Sequence, residues 1–183
     1  GAVLAVDLGV LQHHLGAGLG AAQGGSGVGG EEGIASAGSE DHDLALFDCG
    51  EPALNDWLRH RALKNESRFS RTYVVCDAGR VVAYFCISAG AVEREAAPTR
   101  LRRNAPAAIP VSVIGRLAVS KSHAGHGLGA DILADALRRI AVAAQTIGIG
   151  AVLVQAKDER AKGFYLACAE FLEYPADSRT LFL

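Results

Sequence analysis

Cysteine is scarce in this chain of 183 residues, and the four that occur follow none of the spacings typical of disulfide frameworks or metal sites. Cys76 and Cys86 lie in apolar strand patterns, so we expect reduced thiols in a cytoplasmic protein, and no metal. No apolar run reaches the roughly 18 residues of a membrane-spanning helix. These absences argue against disulfide-stapled, zinc-bound and membrane-spanning classes of protein.

Lysine and arginine are missing from the first 58 residues, which contain nine acids. Residues 59–103 then hold ten lysines or arginines against four acids, so the net charge of −2 conceals a basic middle segment. Residues 1–40 hold twelve of the 22 glycines and show no steady apolar period. We expect a low-complexity, flexible head over residues 1–40, without the basic start of a signal peptide, and one globular domain over residues 41–183.

The strongest pattern lies between Val113 and Ala144, where an apolar strand leads through a polar turn and three glycines into an amphipathic helix. The glycines are Gly125, Gly127 and Gly129. A helix start leaves backbone N–H groups without intrahelical acceptors, and the helix dipole adds roughly half a positive charge there. The pattern therefore predicts an anion site, at which glycines let a phosphate approach the donors.

Two common phosphate loops fit this stretch only in part. A Walker A loop ends in Gly-Lys-Ser/Thr, whereas Gly129 is followed by Ala130. The order Gly125-x-Gly127-x-x-Ala130 satisfies a permissive dinucleotide-binding fingerprint, but the acid expected about 20 residues later comes too late, at Asp158. A glycine-rich turn without a ligand is a further alternative.

The segment AGHGLG, Ala124 to Gly129, resembles the acyl-coenzyme A pyrophosphate loop of the GNAT N-acetyltransferases, Gln/Arg-Gly-x-Gly-x-Gly/Ala. Ala124 stands in place of the usual Gln or Arg, which removes a side-chain donor but no backbone donor. The strand RLAV before the loop and the pair FY in a later helix also match the spacing of that family. The resemblance implies acetyl-CoA as cofactor and assigns its contacts to Leu117, Ala118, Val119, Gly125, His126, Gly127, Leu128, Gly129, Ala130, Phe164 and Tyr165.

A more specific motif runs from Phe47 to Leu58, F-D-C-G-x-x-x-L-N-x-W-L, and is followed by L-K-N and S-R-T-Y-V-V. It resembles the aminoacyl-tRNA-acetylating toxins of type II toxin–antitoxin modules, a branch of the GNAT family, over residues 41–183. The resemblance implies an α/β (α+β) GNAT fold, with a central mixed, mostly antiparallel sheet, a splayed parallel strand pair and flanking helices. It also implies an aminoacyl-tRNA substrate, inhibition of translation, a ribbon-helix-helix antitoxin and a homodimer.

Acetyl transfer to an amine requires a stabilised oxyanion and a protonated leaving thiolate. The backbone N–H of Val119, at the strand end, is our candidate for the oxyanion. Tyr165 is our candidate acid, since a phenol of pKa about 10 can protonate a thiolate near 8.5 with help from the transition state; the alternative is a packing role. No Asp or Glu is a clear base, but an α-amino group next to an ester, with a pKa at or below about 7.7–8.0, needs none.

The basic segment favours attraction to phosphates, although a charge run can also be merely a solvated surface. Our candidates for nucleic-acid contacts are Lys64, Arg68, Arg71, Arg94, Arg102 and Arg103. Arg116, on the strand before the loop, is a candidate for a buried structural pair instead.

Three hypotheses remain open at this point: a toxin-like aminoacyl-tRNA acetyltransferase, a GNAT enzyme for a protein or small-molecule amine, and a non-catalytic acyl-CoA-binding module. The patterns also predict a helix beginning at Pro52, a hairpin turning at residues 77–79, an irregular segment over residues 91–110 and a helix over residues 128–147.

Overall fold

The computed structural model describes residues 34–36, 42–66, 68–174 and 177–183. These residues fall into two compact units. We call residues 34–36, 42–66, 68–88 and 115–136 the glycine-loop unit, and residues 89–114, 137–174 and 177–183 the tyrosine unit.

The glycine-loop unit begins with three strands that pair antiparallel in the order β1-β2-β3. Its elements are β1 (Ile34–Ser36), α1 (Pro52–His60), α2 (Ala62–Glu66), β2 (Arg71–Asp77), the first part of β3 (Arg80–Glu93), the end of β4 (Ala108–Val119) and the start of α4 (Leu128–Ala144). β1 lies inside the segment that we predicted as a flexible head, and it is a strand paired with β2. The rest of that head, residues 1–33 and 37–40, lies outside the described residues.

The helix α1 begins at Pro52, as predicted, because proline suits the first turn of a helix, where its missing N–H has no acceptor to serve. Trp57 and Leu58 are buried on its inner face. The core of this unit comprises Phe47, Trp57, Leu58, Ala62, Val74, Val81, Tyr84, Cys86 and Ala118.

Tyr84 lies at the centre of this core and is fully buried. Its ring stacks on Trp57 at 5.8 Å between centroids and meets Phe47 edge-on at 5.5 Å, and its hydroxyl donates to the carbonyl of Leu54 at 2.9 Å. The guanidinium of Arg116 lies 4.4 Å from the centre of the Trp57 ring, a cation–π contact. Arg116 is half-buried and contacts an aromatic ring, whereas we had considered it for a buried structural pair.

The tyrosine unit is built on the parallel pair β4 and β5, with β7 and β6 following antiparallel. It comprises the end of β3, α3 (Thr99–Arg102), most of β4, the end of α4, β5 (Ala151–Gln155), α5 (Glu159–Cys168), β6 (Leu172–Tyr174) and β7 (Asp177–Phe182). Its core includes Val92, Ala97, Ile109, Val111 and Ala151. The predicted mixed α/β architecture, mostly antiparallel with one parallel pair, is confirmed.

Two boundaries differ from our predictions. The segment over residues 91–110 is not irregular throughout, because β3 continues to Glu93 and α3 and the start of β4 lie within it. The helix α4 ends at Ala144 rather than residue 147, and hydrogen-bonded turns follow it. Among the described residues, no helix has both the length and the apolar character needed to cross a membrane.

Candidate active site

The glycine loop joins the end of β4 to the start of α4. The carbonyl of Gly127 accepts from the N–H groups of Ala130 at 2.8 Å and Asp131 at 3.2 Å, so the helix is capped by a glycine carbonyl. Gly125 and Gly127 adopt φ values of +83° and +88°, a left-handed conformation that L side chains rarely take. A Cβ at either position would meet nothing within 4 Å, so the backbone conformation and not crowding requires these glycines.

The surface of this loop is suited to an anion. Residues 124–127 are exposed, and His126 projects from the same segment. Among the hydrogen bonds that the described residues form with one another, the N–H groups of Gly125, Gly127 and Gly129 are not donors. Backbone donors at the positive end of a 17-residue helix, with no side chain above the two glycines, form an arrangement that can bind a phosphate group.

The start of the loop is fixed by Asp48, from the motif F-D-C-G. Its Oδ2 lies 2.7 Å from Nζ of Lys121, and its Oδ1 accepts from the N–H of Gly50 at 2.8 Å and from Nδ2 of Asn55 at 2.9 Å. Its carbonyl also accepts from the N–H of Lys121 at 2.8 Å. The hydrogen bond from Lys121, followed by those from Gly50 and Asn55, holds the pKa of Asp48 far below its usual value, and Asp48 in turn raises the pKa of Lys121. Two of these four contacts of Asp48 therefore hold Lys121 in place just after the end of β4.

The end of β4 presents unpaired backbone groups. The N–H of Ser120 donates to the carbonyl of Val82 on β3 at 2.7 Å. Because successive N–H groups along a strand face opposite edges, that of Val119, the residue before Ser120, faces the edge away from β3. The register of β4 with β5 ends at Ile114, and β4 continues for five residues beyond it. An extended amide-bearing ligand can pair with such an edge as an additional strand.

Tyr165 lies in α5, in the tyrosine unit, and only 8% of its surface is exposed. Phe164 and Phe171 meet its ring edge-on, at 5.2 Å and 5.7 Å between centroids. The helix is capped by Asp158, whose Oδ1 accepts from the N–H of Ala161 at 2.8 Å. The cap and the aromatic contacts together hold the Tyr165 ring in one position.

The structure divides the six predicted nucleic-acid contacts into two sets of three, and all six side chains are exposed. Lys64, Arg68 and Arg71 lie around α2 and the start of β2, in the glycine-loop unit, and Arg94, Arg102 and Arg103 lie around α3, in the tyrosine unit.

Three of these arginines also bond within their own unit. Arg71 donates to the carbonyl of Glu66, Arg102 donates to the carbonyl of Ala97, and Arg94 lies 3.3 Å from a carboxylate oxygen of its neighbour Glu95. Their guanidinium groups are thereby partly oriented, while the remaining N–H groups are available to a phosphate.

Sequence reasoning missed the contacts of Asp48 with Lys121 at the start of the loop. Local patterns predict which residues share a helix face or a strand, but Asp48 and Lys121 are 73 residues apart. The available signal was the pair Asp48 and Gly50, which is typical of a turn closed by an aspartate side chain. Among the described residues, no three His, Cys, Asp or Glu side chains converge as ligands of a metal ion.

Known proteins resemble this chain in sequence and in structure. The model of the acetyltransferase (GNAT) family matches residues 38–171. A tRNA-acetylating toxin of Mycobacterium tuberculosis is 43% identical over 129 residues, which make up 70% of this chain and 78% of that protein.

Two solved structures extend the similarity. The toxin AtaT complexed with acetyl-methionyl-tRNAfMet has a TM-score of 0.76 at 30% identity, over 82% of this chain and 93% of that chain. A mutant of AtaT bound to the C-terminus of the antitoxin AtaR and to acetyl-CoA has a TM-score of 0.71 at 27% identity, over 84% and 93% of the two chains. The family match covers most of the sequence, and these structures share its fold, so this chain belongs to the acetyltransferase (GNAT) family.

Proposed function

We propose that this protein transfers acetyl from acetyl-CoA to the α-amino group of aminoacyl-tRNA, and that it thereby inhibits translation as the toxin of a toxin–antitoxin pair. The observation that carries the proposal is the 43% identity to a tRNA-acetylating toxin over most of both chains. Two exposed features support it: the glycine loop suits a phosphate of the cofactor, and the arginines suit the phosphates of an RNA backbone.

The residues around the loop and the end of β4 fit acetyl-CoA. The N–H groups of Gly125, Gly127 and Gly129 would bind its pyrophosphate, and those of Leu117 and Val119 would pair with its pantetheine amides. Ala118, His126, Leu128, Ala130 and Phe164 complete the set of cofactor contacts that we propose. Bound here, acetyl-CoA supplies the acetyl group as a thioester.

The chemistry requires little of the protein beyond positioning and two hydrogen-bond donors. The N–H of Val119 would stabilise the negative charge that develops on the carbonyl oxygen during attack by the amine. The hydroxyl of Tyr165 would give its proton to the sulfur that leaves. With a pKa at or below about 7.7–8.0, about a tenth or more of the attacking α-amino group is neutral at pH 7, so no strong base is needed to begin the attack. The proton that the nitrogen loses as the amide forms would pass to water or to the Tyr165 oxygen after that oxygen has given its own proton to the sulfur.

The six basic residues, Lys64, Arg68, Arg71, Arg94, Arg102 and Arg103, would contact tRNA phosphates and fix the orientation of the acceptor end. All six are exposed, which a phosphate contact requires.

A toxin also needs a neutralising partner. We propose a ribbon-helix-helix antitoxin, a homodimer as the active form and a cytoplasmic location, where charged tRNA is found. The complex of the related AtaT with the C-terminus of its antitoxin supports an antitoxin as partner.

The test is to incubate the purified protein with radiolabelled acetyl-CoA and a mixture of charged and uncharged tRNAs. We expect label on charged tRNA alone, and the amino acid that carries it identifies the preferred substrate. The variant Tyr165→Phe should lose about 10²- to 10⁴-fold in rate. Tyr174→Phe, a tyrosine on β6 that packs on Phe182, is the matched control and should keep the rate.

Other outcomes would refute the proposal. Release of coenzyme A on peptides or small amines, with no label on tRNA, would identify an acetyltransferase of another amine. Binding of acetyl-CoA without any turnover would identify a non-catalytic module.

A further inference from the structure

Phe69 is an exposed aromatic residue in a turn whose backbone is held by hydrogen bonds. The turn joins α2 to β2, and 69% of the Phe69 surface is exposed. The N–H groups of Arg68, Phe69 and Ser70 all donate to the carbonyl of Asn65, at 3.2, 3.0 and 3.2 Å. The side-chain amide of Asn65 donates in turn to the carbonyl of Arg61 at 2.8 Å. The turn therefore presents the ring from a fixed backbone.

Positive charge surrounds this ring along the chain. Lys64, Arg68 and Arg71 lie within five residues of Phe69, and all three are exposed. The acid in this stretch, Glu66, is half-buried, and its Oε2 accepts from the N–H of Thr72 at 2.6 Å. Its charge is thus directed into the protein, and the surface near Phe69 is left basic.

No ring contact restrains or covers Phe69 within the part of the chain that the structure describes. An exposed phenylalanine gains little from burial within its own chain, and its ring is accessible to a binding partner. A ring between flanking cations is the arrangement by which proteins bind single-stranded nucleic acid, where bases stack on aromatic rings and cations follow the backbone.

We propose that Phe69 is a stacking platform for an unpaired base of RNA, with Arg68, Arg71 and Lys64 binding the adjoining phosphates. This inference deepens the proposed function and rests on it, since the acceptor end of tRNA is single-stranded and carries the amino acid. Charge complementarity favours RNA, because Lys64, Arg68 and Arg71 place three positive charges near Phe69 along the chain and every phosphate of a nucleic-acid backbone is negative.

The experiment measures binding of two fluorescent RNA hairpins that share one stem, one with a single-stranded 3′ end and one blunt. Stacking on a ring is worth about 1–3 kcal/mol per base, so Phe69→Ala should raise Kd for the hairpin with the single-stranded end by about 5- to 150-fold. Kd for the blunt hairpin should not change. Phe69→Trp should bind both hairpins as the wild type does.

Two control variants separate stacking from general surface effects. Leu63→Ala removes another exposed apolar side chain of the same unit, 59% exposed, and should leave both affinities unchanged. Arg68→Gln removes one phosphate contact and should reduce the slope of log Kd against log salt concentration by about 0.7–0.9. Phe69→Ala removes no charge and should leave that slope as it is.

The inference fails if Phe69→Ala binds the hairpin with the single-stranded end as the wild type does, or weakens binding to both hairpins equally. It also fails if the substitution changes self-association or antitoxin affinity but no RNA affinity, since Phe69 would then be a protein contact. Acetylation of charged tRNA by the wild type tests the proposed function separately. Wild-type acetylation with no effect of Phe69→Ala on Kd refutes the platform alone, and a stacking effect without acetylation refutes the proposed function alone.

Discussion

Substitution of Gly127 by alanine separates backbone strain from loss of the anion site. Gly127 has a φ of +88°, and an added Cβ would meet nothing within 4 Å. The cost to folding is therefore the left-handed backbone alone, about 1–2 kcal/mol. Gly79, in the turn between β2 and β3, is a matched control, because its φ is +79° and its Cβ would also meet nothing within 4 Å.

The two variants should lose similar stability but differ in binding. Thermal unfolding should show a decrease in Tm of about 2–8 °C for each. In Gly127→Ala, however, the new methyl group occupies the surface at which we place the pyrophosphate. Loss of one charge-assisted hydrogen bond costs about 1.5–3 kcal/mol, so Kd for coenzyme A should rise roughly 10- to 150-fold.

Isothermal titration of coenzyme A into each variant gives the comparison. Gly79→Ala should bind coenzyme A with the wild-type Kd. Equal Kd values for Gly127→Ala and Gly79→Ala would show that the loop does not bind the phosphate, and the anion-site interpretation of the glycines would be wrong.

Three further variants test other parts of the structure. The pKa of Asp48 is lowered in the folded protein, so its bond to Lys121 stabilises the fold above the ordinary carboxyl pKa of about 4, and this stabilisation is lost as the pH falls below that value. In urea titrations at a series of pH values, Asp48→Asn should therefore lose less stability at acid pH than the wild type does. An unchanged acid profile would contradict this. Tyr84→Phe removes the hydrogen bond from the buried hydroxyl to the carbonyl of Leu54 and should lower the free energy of unfolding by about 0.5–1.5 kcal/mol, and wild-type stability in urea would show that this bond adds nothing. Arg103→Gln should reduce the salt dependence of tRNA binding by about 0.9 in slope without a change in Tm, and an unaltered slope would remove Arg103 from the proposed interface.

The loop and the two helices next to it could be predicted from sequence because their signals are local. Each signal depends on only a few neighbouring residues: the glycines at alternate positions, the apolar residues at helical spacing and the proline in the first turn. The structure places α1 and α4 where those signals indicated, with an error of three residues at the end of α4.

The long strand β3 could not be predicted in the same way. Glycine is a common residue in turns, but Gly90 lies inside β3, where an added Cβ would lie 3.0 Å from Cγ2 of Val113 on the neighbouring strand. The glycine is there for close approach between strands, which is a property of the fold and not of the local sequence. The contact of Asp48 with Lys121 was missed for the same reason, because only the folded chain brings these residues together.

The anion site that we propose at the glycine loop consists of main-chain atoms, so it restricts few of the side chains around it. Every residue other than proline offers the same N–H group, so side chains at Ala124, His126 and Leu128 can change while the donors remain. Only Gly125 and Gly127, with their positive φ values, should resist replacement. Saturation mutagenesis of the loop should therefore give an alternating map of tolerant and intolerant positions, and natural relatives can drift at the tolerant ones without loss of the cofactor.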